Sequence, residues 1–310
     1  MCQLSQILFL QNGEIDKARY DACINAASNG LIYATSAYLD TMSPDWCALA
    51  SENYEWVAPV TLRTKWGVTY LYQPPFTQQL GIFAKPDTPI PAAEIVAYLT
   101  KLAKFWEVNW NYTTETKHLI PDFKIATAAN FILHLSDSYE SLARNYYPVL
   151  TKNLKTGKRY HHVYRETKDY HTLIKLYKEQ YGNRMPGMKE VDYNNFKNLC
   201  EQLQRQEQLI CREVISGDGD RIASIVLLRD RRRIYNLVNT ITAAGRKTMA
   251  NHFLLDSVIR EFSSSPLLFD FEGSDLPGVK PFYESFGATN QPYFKIKYNN
   301  LPWILRLVKR

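Results

Sequence analysis

An α/β (α+β) fold of two domains, each a mixed, mostly antiparallel sheet flanked by helices, is what this sequence predicts. Three observations carry that reading. The chain has 310 residues, enough for two cores. Its second half reads in order as two helices, three strands, a helix, a strand, a short helix and a last strand. The first half repeats that order loosely, with no visible sequence repeat, so the duplication rests on element order alone.

In the first half, helical stretches near 15–27 and 36–42 precede strands near Trp56–Arg63 and Val68–Gln73. A turn-rich loop, Pro74–Phe83, leads to a helix near 91–105. Strands follow near Trp106–Asn111 and Ala128–Leu135. Ser136–Lys168 bridges the halves, with a basic helical stretch from Tyr139 to Tyr160. The predicted domains are therefore 1–138 and 139–310, the second including the linker at 139–168.

The second half is the easier to read. Over 169–182, Leu173, Ile174 and Tyr177 share a helical face, and Gly182 suits a C-terminal cap. Residues 192–207 form the next helix, with Asp192 at its N-cap and Phe196, Leu199, Cys200 and Leu203 on one side. Leu209–Ser216, Arg221–Arg229 and Arg233–Thr242 read as a meander, turned by Gly217–Asp220 and by Asp230-Arg231-Arg232. A turn at Gly245 opens a helix over 246–262. Leu267–Phe271 is a short buried strand. Pro277–Phe286 is a short helix with Gly287 after its end, and Tyr293–Tyr298 is the last strand.

Composition narrows the class. The apolar fraction is 45% and the charged fraction 22%, ordinary for a soluble globular protein. Residues 1–10 lack the cationic start and apolar length of an export signal, and no stretch is long enough to span a bilayer. The five cysteines are scattered without metal-ligand spacing, which fits reduced thiols in a cytoplasmic protein. Charge is uneven. Residues 1–150 carry 10 basic against 14 acidic side chains, and 151–310 carry 27 against 17. The second half is thus the candidate for an anionic partner.

Ala244-Gly245-Arg246-Lys247-Thr248 follows the meander and opens a helix. Backbone N–H groups and a positive helix end would converge there on an anion, beside two cations. The alternative is a plain strand-to-helix turn with solvated side chains. With Phe282-Tyr283-Glu284-Ser285-Phe286-Gly287-Ala288, this segment resembles the GNAT acyltransferase fold. Two such units in tandem resemble the FemABX-like branch, as does Phe269-Asp270-Phe271-Glu272-Gly273-Ser274 before the short helix. One departure is plain: GNAT enzymes carry a second small residue where Arg246-Lys247 stand.

The resemblance implies an acyl or aminoacyl transfer to an amine by direct attack on a thioester or ester. Asn239, Thr240, Gly245, Arg246, Lys247 and Thr248 would hold the donor, an acyl-CoA or an aminoacyl-tRNA. Tyr283 would protonate the leaving group, and Glu272 or Asp275 would take the amine's proton. Core packing is the alternative for Tyr283, and helix capping for Asp275. The acceptor would be an amine-bearing small molecule or a cell-wall precursor, with tRNA a further partner and no metal. A first domain without a phosphate turn would shape the acceptor groove, and Gln73–Gly81 would line it or serve as a structural loop. The rival reading is a catalytically inactive binding protein for an anionic ligand or surface.

Overall fold

The computed structural model describes residues 7–119, 123–185, 187–273 and 278–303. The first strands and helices are β1 (Ile7–Leu10), α1 (Lys17–Ala26), α2 (Ser36–Met42), β2 (Cys47–Ser51), β3 (Trp56–Val60), β4 (Leu62–Lys65) and β5 (Val68–Tyr72). Then come β6 (Phe83–Ala84), α3 (Ala92–Leu102), β7 (Phe105–Trp110), β8 (Phe123–Ala128) and β9 (Phe131–His134). The linker region holds α4 (Tyr139–Arg144), α5 (Pro148–Gly157) and β10 (Val163–Glu166). After it lie α6 (Tyr170–Tyr181), α7 (Glu190–Arg205), β11 (Leu209–Ile215), β12 (Arg221–Arg229) and β13 (Arg233–Ile241). The chain continues through α8 (Ala243–Lys247), α9 (Ala250–Phe262), β14 (Leu268–Glu272), α10 (Val279–Glu284), β15 (Thr289–Asn290) and β16 (Tyr293–Asn299).

Two units result: Met1–Ala128 with Pro292–Arg310, and Ala129–Gln291. The first holds two sheets, β1-β2-β3-β6 and β4-β5-β7-β16-β8. The second holds one, β10-β11-β12-β13-β14-β9-β15. Each unit has one parallel strand pair, β5 with β7 and β13 with β14; the other named pairs are antiparallel. The mixed, mostly antiparallel character read from the sequence is therefore present in both units.

Strand exchange is what the element order could not show. β9, read as the end of the first half, lies between β14 and β15. β16, read as the end of the second, lies between β7 and β8. Sequence periodicity reports which face of a strand is buried, not which neighbour it meets.

Local chemistry explains the rest. β12 is apolar on both faces, and Ile222–Leu228 are all buried, as befits a central strand. The Asp169 carboxylate accepts the Thr172 N–H and starts α6. Asp192 is not the N-cap of α7; it accepts the Lys189 N–H from the first turn. The helix expected over 246–262 is two helices, because Met249 adopts φ 60° and breaks it. The basic stretch 139–160 is likewise broken, ending α4 before Pro148, and Lys152, Lys155, Lys158 and Arg159 are exposed.

Arg233 leaves its neighbours in the Arg231–Arg233 run and turns inward. It is 3% exposed and donates from Nη1 to Asp270 Oδ2 at 2.7 Å; Asp270 is 1% exposed. Asn130 Nδ2 donates to the same carboxylate at 3.2 Å, and Arg233 Nη2 donates to Gln291 Oε1 at 2.8 Å. Asp270→Leu should lower the unfolding free energy by about 3–5 kcal/mol, because it strands a buried guanidinium. Adding Arg233→Met should recover most of that loss. Urea unfolding of the two variants checks both statements.

Candidate active site

The parallel pair in the second unit opens. Pairing of β13 with β14 runs from Arg233↔Leu268 to Tyr235↔Asp270, yet β13 continues to Ile241 and β14 to Glu272. A bulge accompanies the opening. Leu227 opposes Asn236 and Val226 opposes Val238, so Leu237 is an extra residue in β13. β14 slips register too, between Asp270 and Glu272, and Glu272 has φ 64°. A left-handed glutamate at a strand end is strain of the kind that collects at functional sites. Past the parting, β13 has an edge. At Ile241 the Gln180 carboxamide of α6 covers it, with Nε2 donating to the C=O at 2.9 Å and Oε1 accepting from the N–H at 3.3 Å.

Glu272 and Tyr283 meet at this opening. The Tyr283 ring lies 5.0 Å from Phe271 and 6.3 Å from Phe131. Burial, and after it the charges of Glu272, Tyr181, Tyr177 and Asp270, push the Tyr283 phenol well above its ordinary range. Two α6 tyrosines therefore face the same space; their rings are 5.2 Å apart. Asp270 does not act beside Glu272 as an alternative base. Its carboxylate is held by Arg233, Asn130 and the Glu272 N–H, the last at 3.0 Å. Burial pushes that carboxyl up, and Arg233 opposes the shift. Asp275 falls outside the described residues.

The expected cradle is rearranged. Gly245 is not a turn; it is a buried residue inside α8. A Cβ there would sit 2.3 Å from the Ile222 carbonyl oxygen, so glycine is required for close helix–strand approach. Its N–H is not free either, because Thr242 Oγ1 accepts it at 3.0 Å. Thr248 turns its hydroxyl back onto the Ala244 and Gly245 carbonyls, and its own carbonyl accepts from His162 Nε2 at 2.8 Å. Lys247 is exposed.

What remains is a cavity of about 330 Å³ beside α8, lined among others by Gln180, Arg221, Ser224, Thr240, Thr242 and Arg246. Thr240 and Ser224 share a hydroxyl hydrogen bond of 2.6 Å. Arg221 is held by Glu213 and, at 3.5 Å, by Asp169. Arg246 donates from Nη1 to the Ile241 carbonyl at 3.2 Å and is otherwise exposed. Asn239, half-buried, pairs in register with Ile225. Of the donor residues expected from sequence, Arg246 and Thr240 come together in this cavity. Gly245, Lys247, Thr248 and Asn239 do not line it. The sequence reading singles out neither Gln180 nor Tyr181 and places Tyr177 on the apolar face of its helix, although the spacing of the three along α6 puts polar tips on neighbouring helix positions. Among the described residues no group of three or more His, Cys, Asp and Glu gathers to hold a metal, and no helix is long and apolar enough to cross a membrane.

In the first unit the corresponding opening is filled. β5 and β7 pair over Tyr70–Tyr72 and Phe105–Glu107. Beyond that, Gln73 Oε1 accepts the Asn109 N–H at 2.9 Å. The Leu80 N–H donates to the Asn109 carbonyl at 2.9 Å, and the Asn111 N–H to the Leu80 carbonyl at 2.8 Å. Gly81, at φ 125°, lets this loop press against Asn111. These bonds tie Gln73–Gly81 to β7.

Residues 144–279 match the family model described as acetyltransferase (GNAT) domain. No curated protein matches the sequence. Among solved structures, FemX superposes with a TM-score of 0.67 at 11% identity, over 98% of this chain and 100% of that one. The C-terminal domain of a lysylphosphatidylglycerol synthetase from Agrobacterium fabrum gives 0.59 at 10% identity, over 96% and 95%. L-PGS from Bacillus licheniformis gives 0.54 at 10%, over 94% and 95%. Likeness at such identities speaks for the fold: the chain has a FemX-like fold, and residues 144–279 within it match the acetyltransferase (GNAT) domain model.

Proposed function

We propose that the second unit transfers an acyl or aminoacyl group to an amine at the β13/β14 opening. The observation that carries this is the parted parallel pair with Glu272 and Tyr283 beside it. A strand edge beyond the last ladder pair can offer N–H and C=O groups to an extended ligand. The acceptor nitrogen attacks the acyl carbonyl carbon, a C–N bond forms, and the bond to the leaving oxygen or sulfur breaks. Glu272 takes the proton that the amine sheds. Tyr283 gives its proton to the leaving atom and regains one when the site resets. Arg246, in the cavity beside α8, would hold a donor phosphate.

Either donor leaves a basic atom for Tyr283 to protonate, an alkoxide from an aminoacyl ester or a thiolate from an acyl-CoA thioester. The lysylphosphatidylglycerol synthetase domain with the same fold supports the aminoacyl ester by its name. The amine would belong to a small molecule or a cell-wall precursor.

A second reading has its own observations. Gln180 covers Ile241, and Thr242 caps the Gly245 N–H. Both replace contacts a donor would make, as in a binding protein without turnover.

Thermal unfolding with acetyl-CoA, longer acyl-CoAs and charged tRNA should show a raised midpoint for the true donor. Arg246→Ala should weaken that binding about tenfold by removing one charge-assisted contact. Gly245 is unsuited to this test, since any side chain there collides with Ile222. A turnover assay with the bound donor decides between the readings. Tyr283→Phe should cut kcat by roughly 10²–10⁴ with an unchanged melting point; a donor that binds without turnover leaves the inactive reading standing. Because the Tyr283 phenol is shifted upward, its ionisation should cause no loss of activity below about pH 10. An alkaline limb at lower pH that disappears in Tyr283→Phe contradicts the assigned role.

A further inference from the structure

Asn236 is 5% exposed, and neither its Nδ2 nor its Oδ1 has a protein partner. Among the described residues it is the one buried side chain with both polar atoms orphaned. Such a group weakens a fold, and a native fold that keeps one needs a reason for it.

Its position supplies the reason. Asn236 is the first residue of β13 beyond the last pair with β14, Tyr235↔Asp270, and it adjoins the bulge at Leu237. It opposes Leu227 across the β12/β13 ladder, and directly opposed residues share a face of the sheet. Leu227 belongs to the core that includes Phe271, and Tyr283 packs against that same core. The amide therefore stands at the mouth of the opening, on the sheet face that carries Tyr283.

We infer that Asn236 is a donor-binding residue whose side-chain amide completes its hydrogen bonds on the ligand. This rests on the acyl-transfer reading above. An amide needs an acceptor for Nδ2 and a donor for Oδ1. The matching ligand carries a carbonyl and an N–H close together on one extended chain. An aminoacyl group offers its carbonyl and α-ammonium; the amide-bearing arm of an acyl-CoA offers a carbonyl and an amide N–H. A bare acyl chain offers neither.

The test is Asn236→Leu, a substitution of similar volume without polar atoms. Unliganded, the variant should melt about 2–4 °C higher than the native protein, since an orphaned amide is gone. Its affinity should fall at least about tenfold, measured in one arm with acetyl-CoA and in the other with total charged tRNA against uncharged tRNA. The arm that loses affinity identifies the source of the carbonyl and N–H. A lower melting point means the amide is satisfied within the fold and overturns the inference. So does unchanged affinity in Asn236→Leu while Arg246→Ala loses binding, an outcome that leaves the acyl-transfer reading intact. A native protein that binds neither donor overturns both. Should Asn236→Leu fail to fold, Asn236→Ala carries the affinity arm.

Discussion

A buried ion pair decides where the second unit can open. Arg233 and Asp270 sit at the two ends of the short parallel ladder and lie almost wholly out of water. Two buried charges are tolerable only when their remaining hydrogen-bonding capacity is met, and here Asn130, Gln291 and the Glu272 N–H meet it. The strands are thereby held together as far as Tyr235 and Asp270. The same bond from the Glu272 N–H to Asp270 goes with the left-handed turn of Glu272. Closure on one side and divergence on the other share one carboxylate.

Among the described residues, the two units treat such an opening differently. In the first, Gln73–Gly81 runs back along β7 and supplies its missing partners from the chain itself. In the second, among the described residues, the Gln180 side chain covers Ile241 of the edge. A side-chain amide is a weaker commitment than a backbone segment, because it can leave by changing rotamer while its helix stays in place. That difference is the physical basis for proposing the donor site in the second unit.

Much of the fold was legible in the sequence, and the failures have definite causes. A continuous apolar run marked β12, the turn at Asp230–Arg232 marked the return of β13, and apolar helical faces marked α6 and α7, because burial leaves its period in composition. Gly245 misled because a glycine that permits close packing inside a helix looks the same as one that forms a turn; only the Ile222 carbonyl distinguishes them. Met249 broke the following helix without a glycine or proline to announce it. Arg233 was hidden in a run of arginines whose neighbours are solvated. Glu272 and Tyr283 are proposed from motif, whereas Asn236 is not, since an isolated asparagine in a strand carries no signal until its missing partners are known.

The placement of β16 bears on synthesis. β8 finds its neighbour in the first unit only through β16, and β16 also flanks β7. Residues 123–128 thus leave the ribosome long before residues 293–299 exist. At ordinary translation rates the interval is on the order of ten seconds or more. Throughout that time β7 and β8 carry open edges, the surfaces on which nascent chains join one another. Of the two units, the one translated first is therefore the one whose sheet waits on β16, and shielding of β7 and β8 until then would limit pairing between chains.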